Sequence, residues 1–352
     1  MDGAGDEAMM HLRLRYHGLL LLLLLAGCAS PGSMPEPPPR AEIERETLQQ
    51  QQQALALRHA RAFRLARVSV PLLRAALPLC PDNRRSWFGL NFHYRNHYPA
   101  EWRDAAATLY SLDEHARLRP PLPDSPAALA GLKGGDRILR VQGRALDSQQ
   151  LRLEQVEQLL KRQEGAIRVE WLRDDSRFEA TLEPVQLCDW PVRMSNGGPV
   201  NAFAYGSHVR IPEAMLRYAR EDDELALVVA HELAHNALHH VDKQLRNLLL
   251  GSLLDLAALL SGVPSPGLAA TTGVRLGSPG WELEADYQAL VLMQRAGFRL
   301  EGAADFWRRL GTDFPDAIRH SRGSHPTTAE RYLRMKAAID RLQPPAADPR
   351  GL

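Results

Sequence analysis

His231-Glu232-Leu233-Ala234-His235 places two imidazoles and a carboxylate in the order H-E-x-x-H. On an α-helix, residues four apart share a face, so both histidines can reach one metal ion while Glu232 sits beside it. A divalent ion held this way acidifies a water molecule and polarises a carbonyl, and an adjacent carboxylate serves as general base. The chemistry implied is hydrolysis. Two histidines are one ligand short, because catalytic zinc takes three protein ligands and keeps a fourth position for water. The third is expected in Trp281-Glu282-Leu283-Glu284-Ala285-Asp286-Tyr287, which opens an apolar helix after the breaker Gly277-Ser278-Pro279-Gly280. There Glu282 and Asp286 share a face. Glu282 is assigned to the metal and Asp286 to a hydrogen bond that orients a ligand histidine, with Glu284 as the alternative ligand.

These groups need elements to hold them. Glu221-Asp222-Asp223-Glu224 predicts a cap and an acidic first turn, and Leu225 to Ala230 the apolar body of a buried helix carrying the motif. His239 and His240 continue that helix and are read as structural, since a carboxylate from elsewhere completes the ligand set. His93, His97, His115 and His208 have no partner motif. Thr327 to Glu330 reads as a capping box, which puts His325 in the loop entering a helix whose first turn carries Arg331. Leu248 to Leu260 is apolar apart from Asp255 but too short to cross a bilayer; it is expected to be a core helix, with a membrane contact and a lid over the cleft as the alternatives.

HELAH followed by a helix reading E-L-E-A-D resembles the zinc metallopeptidase family that includes HtpX and the CAAX prenyl proteases. Asn201-Ala202-Phe203-Ala204 and Ser324-His325-Pro326 followed by Arg331 fit the same family, and the likeness covers residues 189 to 345. It implies that one zinc ion is bound by His231, His235 and Glu282, that Glu232 is the general base, and that Asn201, Ala202, Phe203 and Ala204 lead into an edge strand holding extended substrate. His325 would close the resting metal site or donate to the oxyanion, with a surface turn histidine as the alternative, and Arg331 would orient its loop or be solvated. In those enzymes transmembrane helices surround the site, whereas this chain has no 18-residue apolar run to supply one, so their substrates do not carry over.

The N-terminal segment reads as an export signal: Arg13 and Arg15, an apolar run from Leu19 to Leu25, then Ala26-Gly27-Cys28. Leu25-Ala26-Gly27-Cys28 resembles the bacterial lipobox, which implies lipidation at Cys28, a membrane anchor and a periplasmic location, with Ala29 resembling an outer-membrane sorting signal. A proline-rich spacer over 29–40 follows, then a helical segment over 41–84 that includes the tract Gln49 to Gln53. With Cys28 lipidated, Cys80 and Cys188 remain, and in an oxidising compartment they are expected to form a disulfide.

Between those cysteines, Ala130-Gly131-Leu132-Lys133-Gly134-Gly135-Asp136-Arg137-Ile138-Leu139-Arg140-Val141-Gln142-Gly143 resembles the PDZ domains of bacterial proteases. Strands alternating at Ile167, Val169, Trp171 and at Phe178, Ala180, Leu182 flank a polar turn at Asp174-Asp175. Asp147 or Ser148 would cap the helix before them. Trp87-Phe88-Gly89-Leu90 stands where such domains place a carboxylate-binding loop, so a C-terminal peptide is the implied ligand.

The fold expected is therefore α+β: a zincin-like, mostly helical metallopeptidase domain over 188–345 with a small β-sheet, and an inserted β-rich PDZ-like domain over 85–187. A tail over 346–352 completes the chain. Of 352 residues 45% are hydrophobic, and 43 basic against 42 acidic residues give a net charge of +1, which offers no electrostatic case for nucleic acid. The activity implied is zinc endopeptidase cleavage of extended polypeptide. The alternatives are a PDZ-centred adaptor or chaperone with a structural zinc site, and hydrolysis of a non-peptide carbonyl.

Overall fold

The structure, a computed structural model, describes residues 36–146, 153–261, 267–269, 278–319 and 327–343. Cys28 and its lipobox, Asp147, Ser148 and His325 lie outside the described residues. The chain falls into two units, one ending at Gln49 and one running from Gln50 onward, and helix α1 (Arg40–Ala75) crosses the division. In the first unit Arg40 pairs with Glu44 one turn on, at 2.9 Å.

The inner end of α1 buries Leu65, Val68, Leu72 and Leu73, which recur at helical spacing. Beyond it, Cys80 is bonded to Cys188, with Cα atoms 5.9 Å apart across 108 positions of sequence. Strand β1 (Arg84–Trp87) runs antiparallel to β8 (Val185–Cys188), with Arg84 opposite Cys188. The segment between these two strands therefore leaves and returns at one place. It contains β2 (Phe92–His93), β3 (Arg117–Leu118), β4 (Arg137–Val141), β5 (Arg144–Ala145), helix α2 (Leu153–Lys161), β6 (Ile167–Arg173) and β7 (Ser176–Leu182). The sheet order is β2-β3-β4-β6-β7, with β5 paired to β4. Its own core includes Phe88, Leu118, Ile138, Val169, Trp171 and Leu182. The β6–β7 hairpin turns through Asp174 and Asp175, both with positive φ (46° and 60°), the geometry that matches the twist of a tight hairpin.

A second core gathers the remainder. Strand β9 (Val192–Ser195) lies parallel to β11 (Val209–Pro212), and β10 (Phe203–Ala204) pairs antiparallel with β11 at the sheet's edge. Helix α3 (Asp222–Ala237) buries every residue from Leu225 to Asn236. Asp222, Asp223 and Glu224 form the expected acidic first turn, but the N-cap residue Glu221 makes no side-chain capping bond. Asp222 pairs with Arg64 at 2.9 Å, Asp223 with Arg299 at 2.7 Å and Glu224 with Arg309 at 2.8 Å, tying α3 to three other parts of the chain.

Helix α4 (His240–Leu260) corrects a second expectation. Among its residues only His240 and Gly251 are buried, and leucines such as Leu253, Leu254 and Leu260 are 62%, 65% and 80% exposed. A run that is apolar all round gives no facial preference, so its pattern cannot say what it packs against. No helix among the described residues is long and apolar enough to cross a membrane.

Helix α5 (Ser278–Arg295) lies against α3 and buries Ala285, Ala289, Leu290 and Met293 completely. Helices α6 (Ala303–Asp313) and α7 (Thr328–Leu342) pack on each other, and α7 also touches α5. Gly311 permits the α6–α7 approach, since a Cβ there would stand 2.5 Å from Thr328 Oγ1. Thr327 caps α7 by accepting from the Glu330 amide at 3.2 Å.

Candidate metal centre and active site

Three of the singled-out side chains converge where α3 crosses α5. His231 and His235, one turn apart on α3, bring their Nε2 atoms to 3.0 Å of each other. Glu282, in the second turn of α5, faces both: Oε2 is 3.3 Å from His231 Nε2 and Oε1 is 3.5 Å from His235 Nε2. All three are buried, and one ligand atom from each lies within 4.8 Å of the others. Two imidazoles and a carboxylate aimed at one point are the donor set of a catalytic zinc site, so these residues fit that ion.

Outer contacts hold each ligand. His231 Nδ1 is 3.0 Å from Asp286 Oδ1, one turn beyond Glu282. Asp286 is gripped by Arg331, whose Nε and Nη2 donate to its two oxygens at 2.8 and 2.6 Å. Arg331 is itself buried, with its guanidinium 3.3 Å above the Trp307 ring. A solvated Arg331 is thereby ruled out. Burial alone would push the Asp286 pKa up, but the Arg331 charge and the hydrogen bonds to Arg331 and His231 together outweigh it and hold the carboxyl below its usual range. For His231, burial works against the charged form, yet hydrogen bonds to Asp286 and Glu282 prevail and raise its pKa to about 9. A cation between the rings and Glu282 would occupy the place of that proton.

Glu232, also buried, lines the same cavity of about 650 Å³ as His231, His235, Glu282 and Arg331. Asn201, Ala202, Phe203 and Ala204 also line it, Phe203 and Ala204 as strand β10. Among the described residues β10 pairs only with β11, so its outer edge is open. Glu284 does not join the ligand group; its Oε2 lies 3.2 Å from His240 Nε2.

Two contributors escape a reading of sequence alone. Asn236, next to His235, accepts from the Gly206 amide at 2.7 Å and donates to the His208 carbonyl at 3.3 Å, fastening the β10–β11 turn to α3. His240 is 1% exposed and its Nδ1 is 3.1 Å from His235 Nδ1. Five residues along an unbroken helix point away from one another. Here the chain breaks at His239, whose φ of +56° separates α3 from α4 and swings His240 back beneath His235. No spacing rule signals that break.

Residues 173–339 match the sequence profile described as Peptidase family M48. The chain is similar to mitochondrial metalloendopeptidase OMA1 of Arabidopsis thaliana, 29% identical over 164 residues, covering 45% of this chain and 33% of that protein. It is also similar to the beta-barrel assembly-enhancing protease of Escherichia coli O157:H7, 32% identical over 130 residues, covering 33% of this chain and 27% of the other. The chain thus spans a third or less of the length of these two relatives. Among solved structures, the HtrA3 PDZ domain bound to a phage-derived ligand aligns at 18% identity, over 30% of this chain and 89% of that one, with a TM-score of 0.23, too low to carry an argument. The profile match spans α3, α5 and the convergent ligand group, so this part of the chain is similar to peptidase family M48.

Proposed function

We propose that this protein is a zinc-dependent endopeptidase that cuts extended polypeptide, with one ion held by His231, His235 and Glu282. The observation that carries this reading is the convergence of those three buried ligands beside Glu232 in a cavity walled by an open strand edge. Zinc bound there would supply a Lewis acid that polarises the scissile carbonyl and brings the pKa of a water to about 7. Glu232 takes the proton that this water loses and returns it to the departing amine, so one carboxylate serves both transfers. The outer edge of β10 aligns the substrate by adding it as a further strand, which favours unfolded or extended chains over folded ones. Asp286 and Arg331 keep His231 from turning.

The PDZ-like segment is the recruiting element in this proposal. Phe88, Gly89 and Leu90 line a second cavity, of about 820 Å³, together with Arg119 and with His59 of α1. A cationic side chain beside apolar surface suits the carboxylate and last side chains of a polypeptide. Lipidation at Cys28 would place the enzyme at the periplasmic face of an outer membrane, among unassembled envelope polypeptides.

Glu232→Gln tests the enzymatic reading against an adaptor role. The variant should bind zinc as the parent does and lose peptide cleavage by a factor of about 10² to 10⁴, measured on an unfolded polypeptide by mass spectrometry of released fragments. Cleavage at the parental rate would refute it.

A further inference from the structure

We propose that His240 and Glu284 are positioning residues for the metal site: they form a relay that sets the tautomer and orientation of His235. The inference rests on the reading of His231, His235 and Glu282 as zinc ligands.

His235 turns Nε2 toward His231 and Glu282, so its Nδ1 faces the other way, 3.1 Å from His240 Nδ1. Two imidazole nitrogens at that distance share one hydrogen, one donating and one accepting. For His235 to offer the lone pair of Nε2 to a cation, its hydrogen must sit on Nδ1. His240 Nδ1 is then the acceptor, and the His240 hydrogen sits on Nε2, where Glu284 Oε2 lies 3.2 Å away to receive it. Each assignment follows from the one before. The run His235, His240, Glu284 has a single consistent direction, ending on an anion.

His240 is held to this task on every side. It is almost fully buried, and its ring stacks on Trp281 with centroids 5.6 Å apart and planes 17° apart. The left-handed backbone at His239 is what brings it there, a conformation that a residue with a side chain adopts only at some cost. The arrangement also matches the one around the other ligand histidine. His231 gives its Nδ1 directly to the Asp286 carboxylate, whereas His235 reaches a carboxylate through one intervening imidazole. Both ligands are backed by an acid, the usual support for a metal-binding histidine, but the second acid acts through a residue that does not itself line the metal-site cavity.

The test measures zinc affinity of the full chain by competition with a chelator, and cleavage kinetics alongside. His240→Leu keeps the volume and removes the acceptor, and should weaken zinc binding about 10- to 100-fold. His240→Gln restores an acceptor and a donor at similar spacing and should return affinity to within about threefold of the parent. Glu284→Ala alters a side chain that is 53% exposed, should leave thermal unfolding of the metal-free chain unchanged, and should weaken zinc binding about three- to tenfold. Parental zinc affinity in both His240→Leu and Glu284→Ala would overturn the relay, as would a Gln variant no better than the Leu variant. Should His240→Leu not fold, Glu284→Ala decides alone: weakened zinc binding supports the relay and parental affinity overturns it. If the parent itself binds no zinc, the reading of the metal site fails; if the parent binds one ion and the variants bind it equally well, the relay alone fails.

Discussion

At the scale of single residues, burial governs which groups can carry charge. Arg331 and Asp286 are both buried and meet through two hydrogen bonds, the geometry in which a guanidinium offsets the desolvation of a carboxylate. His93 and His59 show the opposite case. They share the Tyr98 hydroxyl, at 3.0 and 3.1 Å, in a setting that also holds Arg119. Burial, with a smaller contribution from Arg119, lowers the pKa of His93 from 6.5 to about 3 and that of His59 to about 4. Below pH 6.5 the unfolded chain therefore binds protons that the folded chain refuses, so stability must fall with pH through that window. His93→Gln removes one such site. Its melting temperature should decline less than the parent's between pH 6.5 and about 5, a range above most carboxylate titration. An equal decline would contradict the assignment.

Helices and strands differ in how openly their sequences announce them. The apolar body of α3, the capping residue of α7 and the alternation of β6 and β7 are local patterns with a fixed period, and each was legible from its own residues. Glu282 and Asp286 were legible for the same reason, being four apart on one helix. The use made of Asp222, Asp223 and Glu224 was not, because their arginine partners come from distant parts of the chain. Neither was the exposure of α4, whose leucines satisfy any apolar reading. The two helices should respond oppositely to substitution. Leu233→Ala on α3 opens a fully buried site and should cost about 2–5 kcal/mol, while Leu253→Ser and Leu254→Ser on α4 should each change stability by about 0.5 kcal/mol or less, as measured by chemical denaturation. Losses on α4 as large as that on α3 would show that its leucines are covered in solution.

Across the whole molecule, the part from Gln50 onward has two apolar cores joined where β1 pairs with β8, and the Cys80–Cys188 bond closes that junction. A bond linking positions this far apart restricts the unfolded chain and adds about 4–5 kcal/mol of stability on the loop-entropy account. One core carries the ligands on α3 and α5, and its edge strand β10 borders the same cavity. Sequence made the ligand types and spacings plain, since H-E-x-x-H and its distant glutamate are set by the geometry of individual helices. It could not reveal His240, whose place depends on a break between helices, or Asn236, whose partners lie on a strand turn. Metal analysis of the purified full chain, with X-ray absorption at the zinc edge, reads the ligand set of His231, His235 and Glu282 itself. One zinc per chain, bound by two imidazole nitrogens and carboxylate oxygen and lost on Glu282→Ala in a protein that still folds, is the expected result. A folded chain free of stoichiometric metal, or one whose zinc survives the loss of Glu282 with its coordination unchanged, would contradict it.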